Sequence, residues 1–275
     1  MSRARRFLIG LAGLALAAGP ARSDPATDSG WSFQAVPYVW LFFLDGELGA
    51  ADQTANVDAN FTDLFNQSST AGFEGNFQLS KDGWTFLVDP TYIKVESPIR
   101  LGRGPIEVKG KSDAQVTLLD VMGMREVARW PLGEPIVEAG MKQRAATVDV
   151  LAGARITVMD MGFNAKTNTP GPIFDEVSHD LEETKVWADP VFGLRGIYDV
   201  TDRLHLVARG DVGGFTIQSQ VTSELWASLI YDFHPFGLDT MAVLGFRALY
   251  DDYTHNDFLY KTWLYGPVIG YGIRF

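Results

Sequence analysis

Residues 221–233 read "VTSELWASLIYDF", and they alternate. Val221, Ser223, Leu225, Ala227, Leu229, Tyr231 and Phe233 fall on one face, and Thr222, Glu224, Trp226, Ser228, Ile230 and Asp232 on the other. A period of two held this long is a β-strand with one apolar and one mixed polar face. The preceding run has the same form. Leu204, Leu206, Ala208, Gly210 and Val212 stand against Arg203, His205, Val207, Arg209 and Asp211. The short link "GFTIQSQ" between the runs predicts a hairpin. A turn centred on Ile217-Gln218 sets Asp211 opposite Glu224 and Arg209 opposite Trp226. A register shifted by two residues sets Asp211 opposite Trp226 and Arg209 opposite Ser228. Either register gathers Arg209, Asp211 and Glu224 at one level of one face.

The rhythm spreads in both directions. Phe73, Gly75, Phe77 and Leu79 alternate with Glu74, Asn76, Gln78 and Ser80. Val148, Val150, Ala152, Ala154 and Ile156 alternate with Asp149, Leu151, Gly153, Arg155 and Thr157. Ala242, Leu244, Phe246, Ala248 and Tyr250 stand against Val243, Gly245, Arg247 and Asp251. Eleven runs of this kind are predicted, near 31–43, 46–58, 71–80, 84–97, 113–129, 147–162, 185–198, 203–216, 219–233, 239–251 and 260–275. Asp45-Gly46 and Asp82-Gly83 are favourable hairpin pairs and are read as turns. No composition shift or internal repeat divides the chain. Many runs exceed the usual strand length of about 5–6 residues, whereas a tilted membrane-crossing strand takes about 9–11 plus its protruding ends.

The N-terminus reads as a secretory signal. "MSRARR" is basic, "FLIGLAGLALAAG" is a thirteen-residue apolar run, and "PARS" offers small residues for a cut after Ser23. Residues 1–23 are thus the expected signal peptide and 24–275 one domain. The signal carries four Arg and no acid, so its removal takes the formal net charge from −11 to −15. Such a chain offers no general attraction for nucleic acid. It has no Cys, hence neither a disulfide framework nor a thiolate metal site.

Two all-β designs fit the alternation: a soluble sandwich or barrel, and a transmembrane barrel with its apolar face turned to lipid. The polar face decides between them. It mixes Arg155, Arg195, Arg209 and Arg247 with Asp89, Asp149, Asp189, Asp211 and Glu224, and with many Gly, as a packed lumen would. The apolar face carries Trp31, Trp84, Tyr198, Tyr231, Phe233, Tyr250, Tyr265 and Phe275 near run ends, as interfacial girdles do. The expected fold is an all-β, transmembrane, antiparallel up-and-down barrel. Bacterial single-chain barrels normally have an even number of strands. Eleven is therefore corrected to twelve by a further strand in 98–146, from "PIEVKGK" or "IVEAGMKQ", with ten as the alternative.

The last ten residues, "GPVIGYGIRF", alternate up to Phe275. This pattern resembles the C-terminal assembly signal of bacterial outer membrane β-barrel proteins. Tyr271, Ile273 and Phe275 would carry it. "WSFQAVPYVW", "VDPTYIKV", "ADPVFGLRG" and "RGDVGGF" also resemble segments of an uncharacterised family of proteobacterial outer membrane barrels. The resemblance implies a Gram-negative cell-envelope location, outer membrane lipids as surroundings and the barrel-assembly machinery as a partner during insertion. It implies no activity.

The chemistry on offer is mainly charge. Arg195, Arg209, Asp211, Glu224 and Arg247 form the expected lumen cluster. It is read as a selectivity or solute-binding constriction in a narrow, porin-like channel, or as a salt-bridge network filling a closed structural or surface-interaction barrel. A lipid-modifying enzyme is the weakest reading: His205 would need a nucleophile beside it and has no placed Ser. No enzyme, cofactor or metal site is expected. His179, His234 and His255 lack spaced partners, and "DEVSHDLEE" reads as a solvated loop. "GRGPIEVKGKS" misses the phosphate-loop spacing, with five residues between Gly104 and Gly110. Phe61, Leu64 and Phe65 of "FTDLF" share one helical face, expected at the barrel rim or as a partial plug.

Overall fold

A computed structural model describes residues 30–50, 53–60, 69–101, 107–133, 143–168, 178–256 and 258–275. Twelve strand segments occur in it: β1 Ser32–Trp40, β2 Phe43–Ala50, β3 Gln53–Asn60, β4 Ser69–Lys81, β5 Trp84–Leu101, β6 Glu107–Pro131, β7 Ala145–Asn168, β8 Ser178–Asp199, β9 Leu204–Gly213, β10 Val221–Phe233, β11 Thr240–His255 and β12 Phe258–Arg274. Among the described residues a 3-10 turn, Pro235–Gly237, is the one helical feature.

All pairings are antiparallel between neighbours, and β12 returns to pair with β1, which closes the ring. The ring has ten staves. β1 and β2 lie end to end on β12 in one register, from Gln34↔Arg274 to Trp40↔Val268 and on from Phe43↔Tyr265 to Gly49↔Leu259. Only Leu41 and Phe42 interrupt this stave. They lie opposite Gly266 and Pro267, and Pro267 has no N–H to give to the ladder. β3 pairs with β2 alone and stands outside the ring.

The expectation of twelve strands is therefore corrected to the alternative of ten. An odd count was a sign that one run lay outside the ring rather than that one was missing. "EVKGK" forms the first residues of the long β6, and residues 136–142 of the other candidate segment lie outside the described residues. The Asp45-Gly46 turn is also corrected. Both residues lie inside β2, and the reversal falls between Ala50 and Gln53. A Cβ on Gly46 would stand 2.2 Å from the Lys261 carbonyl oxygen, so this glycine serves close strand approach instead of a turn. Asp82-Gly83 does make its turn, with both residues at positive φ.

Alternation holds along the strands except at a bulge at Val127 in β6, after which Trp130 turns outward. Leu225, Leu229, Leu244, Phe246, Ile269, Val150 and Leu194 are exposed on the outside, and their neighbours Glu224, Trp226, Arg247 and Asp149 are buried inside. Exposed aromatics occur at two heights on the outer wall, around several strands at one end and on the adjacent β2 and β12 at the other. Trp31, Trp84, Trp130, Tyr198, Tyr231 and Tyr271 lie near the end that holds the chain termini, and Phe43, Trp263 and Tyr265 lie on the far side. Tyr271 and Trp263 are eight positions apart on β12, about 20 Å of height at a barrel's strand tilt. Beyond Trp263 the outer residues turn polar, with Asp45, Glu47 and Lys261 exposed.

The wall is uneven in height. β6, β7 and β8 run 25, 24 and 22 residues, whereas β9 has 10 and β10 has 13. β8 meets β9 only from Val191↔Gly213 onward, so Ser178–Asp189 pairs on its β7 side alone. The low β9–β10 turn is tied to β8. The Ser219 backbone N–H and hydroxyl donate to Asp189 at 2.9 and 2.6 Å.

Candidate functional site: the charged lumen

The inward residues of eight staves meet in the middle of the barrel. Arg155 on β7 is the hub. It donates to Asp120 on β6 at 2.9 and 3.2 Å, to Asp211 on β9 at 3.1 Å, to Glu224 on β10 at 2.6 Å and to the Thr222 hydroxyl at 3.1 Å. Arg209 on β9 donates to Glu224 at 2.8 Å and lies 3.7 Å from Asp120. Arg247 on β11 donates to Glu224, and at 2.8 Å each to Tyr38 Oη and Thr91 Oγ1. Tyr38 Oη in turn donates to Asp89 at 2.7 Å, and Asn76 donates to the other oxygen of Asp89 at 2.8 Å. The connected groups come from β1, β4, β5, β6, β7, β9, β10 and β11.

Local register explains why they meet. Asp89, Asp120, Arg155 and Asp189 are direct partners across β5, β6, β7 and β8. Arg209, Trp226 and Arg247 are direct partners across β9, β10 and β11. Each row places its polar side chains on the lumen side, and the strand tilt brings the two rows together. Gly193 faces Asp211, where a Cβ would come 2.7 Å from the Asp211 Cα. The lack of a side chain there lets Asp211 turn toward Arg155.

Burial decides what these pairs are worth. Asp89, Asp120, Arg155 and Arg247 are each 0% exposed. Taking ions out of water is expensive, and the cost is offset only by several partners per ion in good geometry. Arg155 and Glu224 each face three opposite charges or more, which is the arrangement that meets this condition. The guanidinium of Arg247 also lies over Trp40 and Trp226, at 4.6 and 5.5 Å from the ring centroids.

Above this layer the lumen is filled mainly by aromatic and aliphatic side chains, with Asp251 buried among them and accepting from Trp187 Nε1 at 3.2 Å. Tyr38, Trp40, Phe42, Trp226, Leu249, Leu264 and Val268 pack together, and beyond them Trp187 stacks on Tyr253 at 4.3 Å beside Phe258 and Tyr260. Where β4 leaves β1, the Trp40 N–H finds the Glu74 carboxylate in place of a strand partner. On the terminal side a cavity of about 60 Å³ remains, reaching from Gln34 to Arg209 and Trp226.

The hairpin is the unshifted one: Asp211 pairs with Glu224 and Arg209 with Trp226. Of the expected cluster, Arg209, Asp211, Glu224 and Arg247 are brought together. Arg195 is set apart, one level toward the termini, with Asp149 at 2.6 Å and Gln78 at 2.9 Å. The hub Arg155 and its partner Asp120 were missing from that cluster. Both lie at inward positions of their strands, so parity marks them, but the long links flanking β6 and β7 hide their level. His205 pairs with Ile230 in register and lies between two carboxylates, Asp199 at 2.6 Å and Asp232 at 3.3 Å. His234 lies 3.1 Å from Asp239 beside the 3-10 turn. "DEVSHDLEE" enters β8 at Ser178 instead of remaining a loop. "FTDLF" lies outside the described residues.

No protein-family model matches the chain, and no curated protein matches it in sequence. Solved structures do overlap it. The outer membrane protease OmpT from Escherichia coli aligns at 11% identity and a TM-score of 0.46, covering 89% of this chain and 97% of its own. The translocator domain of the autotransporter NalP from Neisseria meningitidis aligns at 13% and 0.36, covering 90% and 89%. The attachment invasion locus protein Ail of Yersinia pestis, in complex with a heparin analogue, aligns at 9% and 0.31, covering 90% and 99%. At these values none assigns a residue role or an activity to this chain. The closed barrel rests on its own strand pairings.

Proposed function

We propose that this protein is an outer membrane β-barrel whose lumen is closed. On this reading it acts as a rigid membrane-embedded scaffold that presents its tall β5–β8 wall on one side of the membrane. The observation that carries the reading is the buried ion network. It links eight of the ten staves through mostly buried groups, and a layer of packed aromatic and aliphatic side chains lies directly above it. Ions crossing such a section would have to displace Arg155 and Arg247 from all their partners. The outward apolar band between two aromatic levels supports a lipid surround. Residues 1–23 are the expected export signal.

The placement of His205 between two carboxylates favours a structural clamp over lipid chemistry. Phe275 exchanges backbone hydrogen bonds with Phe33 at 2.8 and 3.0 Å, which suits a closing strand read by assembly machinery through strand addition. Planar-bilayer recording on the purified full chain tests the closed lumen. No conductance steps are expected, and steady ohmic steps from the unmodified protein would overturn the reading. Cell fractionation tests the location, with the chain expected among heat-modifiable outer membrane proteins.

A further inference from the structure

At the terminal end of the outer wall, rings and cations alternate across neighbouring strands. Lys81, Trp84 and Arg125 are direct partners across β4, β5 and β6, and Trp31, just before β1, lies beside Lys81. The Lys81 ammonium is 5.0 Å from the Trp31 ring centroid, and the Arg125 guanidinium is 5.2 Å from that of Trp84. Both rings are half-exposed. Between them opens a cleft of about 330 Å³, lined by Trp31, Lys81, Asp82, Trp84 and Phe86. The next outward row toward the middle of the wall is apolar. Phe33, Leu79 and Phe86 are direct partners across β1, β4 and β5, and all three are exposed. The cleft therefore has a charged mouth at the rim and an apolar path leading away from it. Asp82 is the one carboxylate in its lining, next to Lys81 at the turn. Neither of these two side chains has an ion-pair partner among the described residues. Nearby Glu126 is taken up by Arg129 through two hydrogen bonds.

We infer that this cleft binds one phospholipid of the terminal-side leaflet, of the class that carries a primary ammonium beside its phosphate diester. The inference rests on the lipid-surrounded barrel proposed above. The phosphate takes the Lys81 ammonium, with Arg125 adding positive charge from across Trp84. The lipid's own ammonium donates to the Asp82 carboxylate. Its acyl chains follow Phe86, Leu79 and Phe33 into the apolar band. The lining selects among headgroups because it offers one charge of each sign. A headgroup with no amine leaves Asp82 facing the phosphate. A choline headgroup has no N–H to give Asp82, and one face of each tryptophan ring already carries a protein cation.

Native mass spectrometry on the full chain tests this, with the protein released from detergent holding equal amounts of phosphatidylethanolamine, phosphatidylglycerol and phosphatidylcholine of identical acyl chains. One ethanolamine-lipid adduct is expected, at least about threefold more abundant than either other adduct, the scale of an exposed ion pair. Asp82→Asn, a residue that tolerates the positive φ found there, should reduce the ethanolamine adduct to the choline level. Lys81→Gln should weaken all three adducts about threefold. Lys261→Gln, on the far side of the wall, should change none. Equal adducts of the three lipids, a preference for the glycerol lipid, or an ethanolamine adduct unchanged by both Asp82→Asn and Lys81→Gln overturns the assignment. Heat-modifiable mobility of the same sample keeps two failures apart. An assembled barrel without the selective adduct overturns the cleft alone, whereas a chain that stays soluble without detergent overturns the membrane reading and the cleft with it.

Discussion

The lumen holds two sets of ionic side chains built from the same chemistry at different depths. The central network joins Arg155, Arg209 and Arg247 to four carboxylates. The rim set strings Asp199, His205, Asp232 and Arg274 along the terminal end. In the centre, the Arg155 and Asp120 side chains are 1% and 0% exposed; at the rim, Arg274 and Asp232 are 37% and 16% exposed. Depth changes what a partner is for. At the rim water can replace a lost partner, so each pair contributes little. In the centre nothing replaces it, so removing one member strands several others.

Arg155→Met should expose this contrast most sharply. It leaves Asp120, Asp211 and Glu224 short of a cation and is expected to cost about 3–5 kcal/mol of stability, read as the denaturant midpoint of heat-modifiable mobility. A loss under 1 kcal/mol would mean that the centre is as wet as the rim. Deleting Phe275 acts on the ring itself, removing two backbone hydrogen bonds and the stacking on Phe33. Export should continue and the amount of assembled barrel should fall; normal outer membrane levels would contradict the closing role given to that residue. Ser219→Ala removes the hydroxyl held by buried Asp189 and should cost about 1–3 kcal/mol. Asp232→Asn at the rim completes the series. It should cost no more than about 1 kcal/mol, with the effect diminished further by salt.

The depth of a group also governed how far its place was legible in the sequence. Parity alone assigned the inner and outer faces of β9, β10 and β11 correctly, because strands with a lipid-like face on one side alternate without interruption. A seven-residue link narrowed the β9–β10 register to two, either of which gives the Arg209–Asp211–Glu224 level, and the unshifted one is found. Arg155 and Asp120 escaped because they are aligned by strands 22 to 25 residues long whose links do not fix the register. The ring number failed for a different reason. Asp45-Gly46 has the composition of a hairpin turn, but the backbone of β12 passes too close for any other residue at Gly46. The same dipeptide chemistry serves a turn at Asp82-Gly83 and a tight strand contact at Asp45-Gly46. Only the neighbouring strand distinguishes them.

The central claim is that the network separates the lumen into two compartments. The chain has no cysteine, so single thiols report cleanly. Ser228 lines the cavity on the terminal side of Arg209. In oriented proteoliposomes, Ser228→Cys should react with a membrane-impermeant thiol reagent added on the terminal side and remain unlabelled when the reagent is added on the other. Labelling from both sides at comparable rates would contradict a closed lumen.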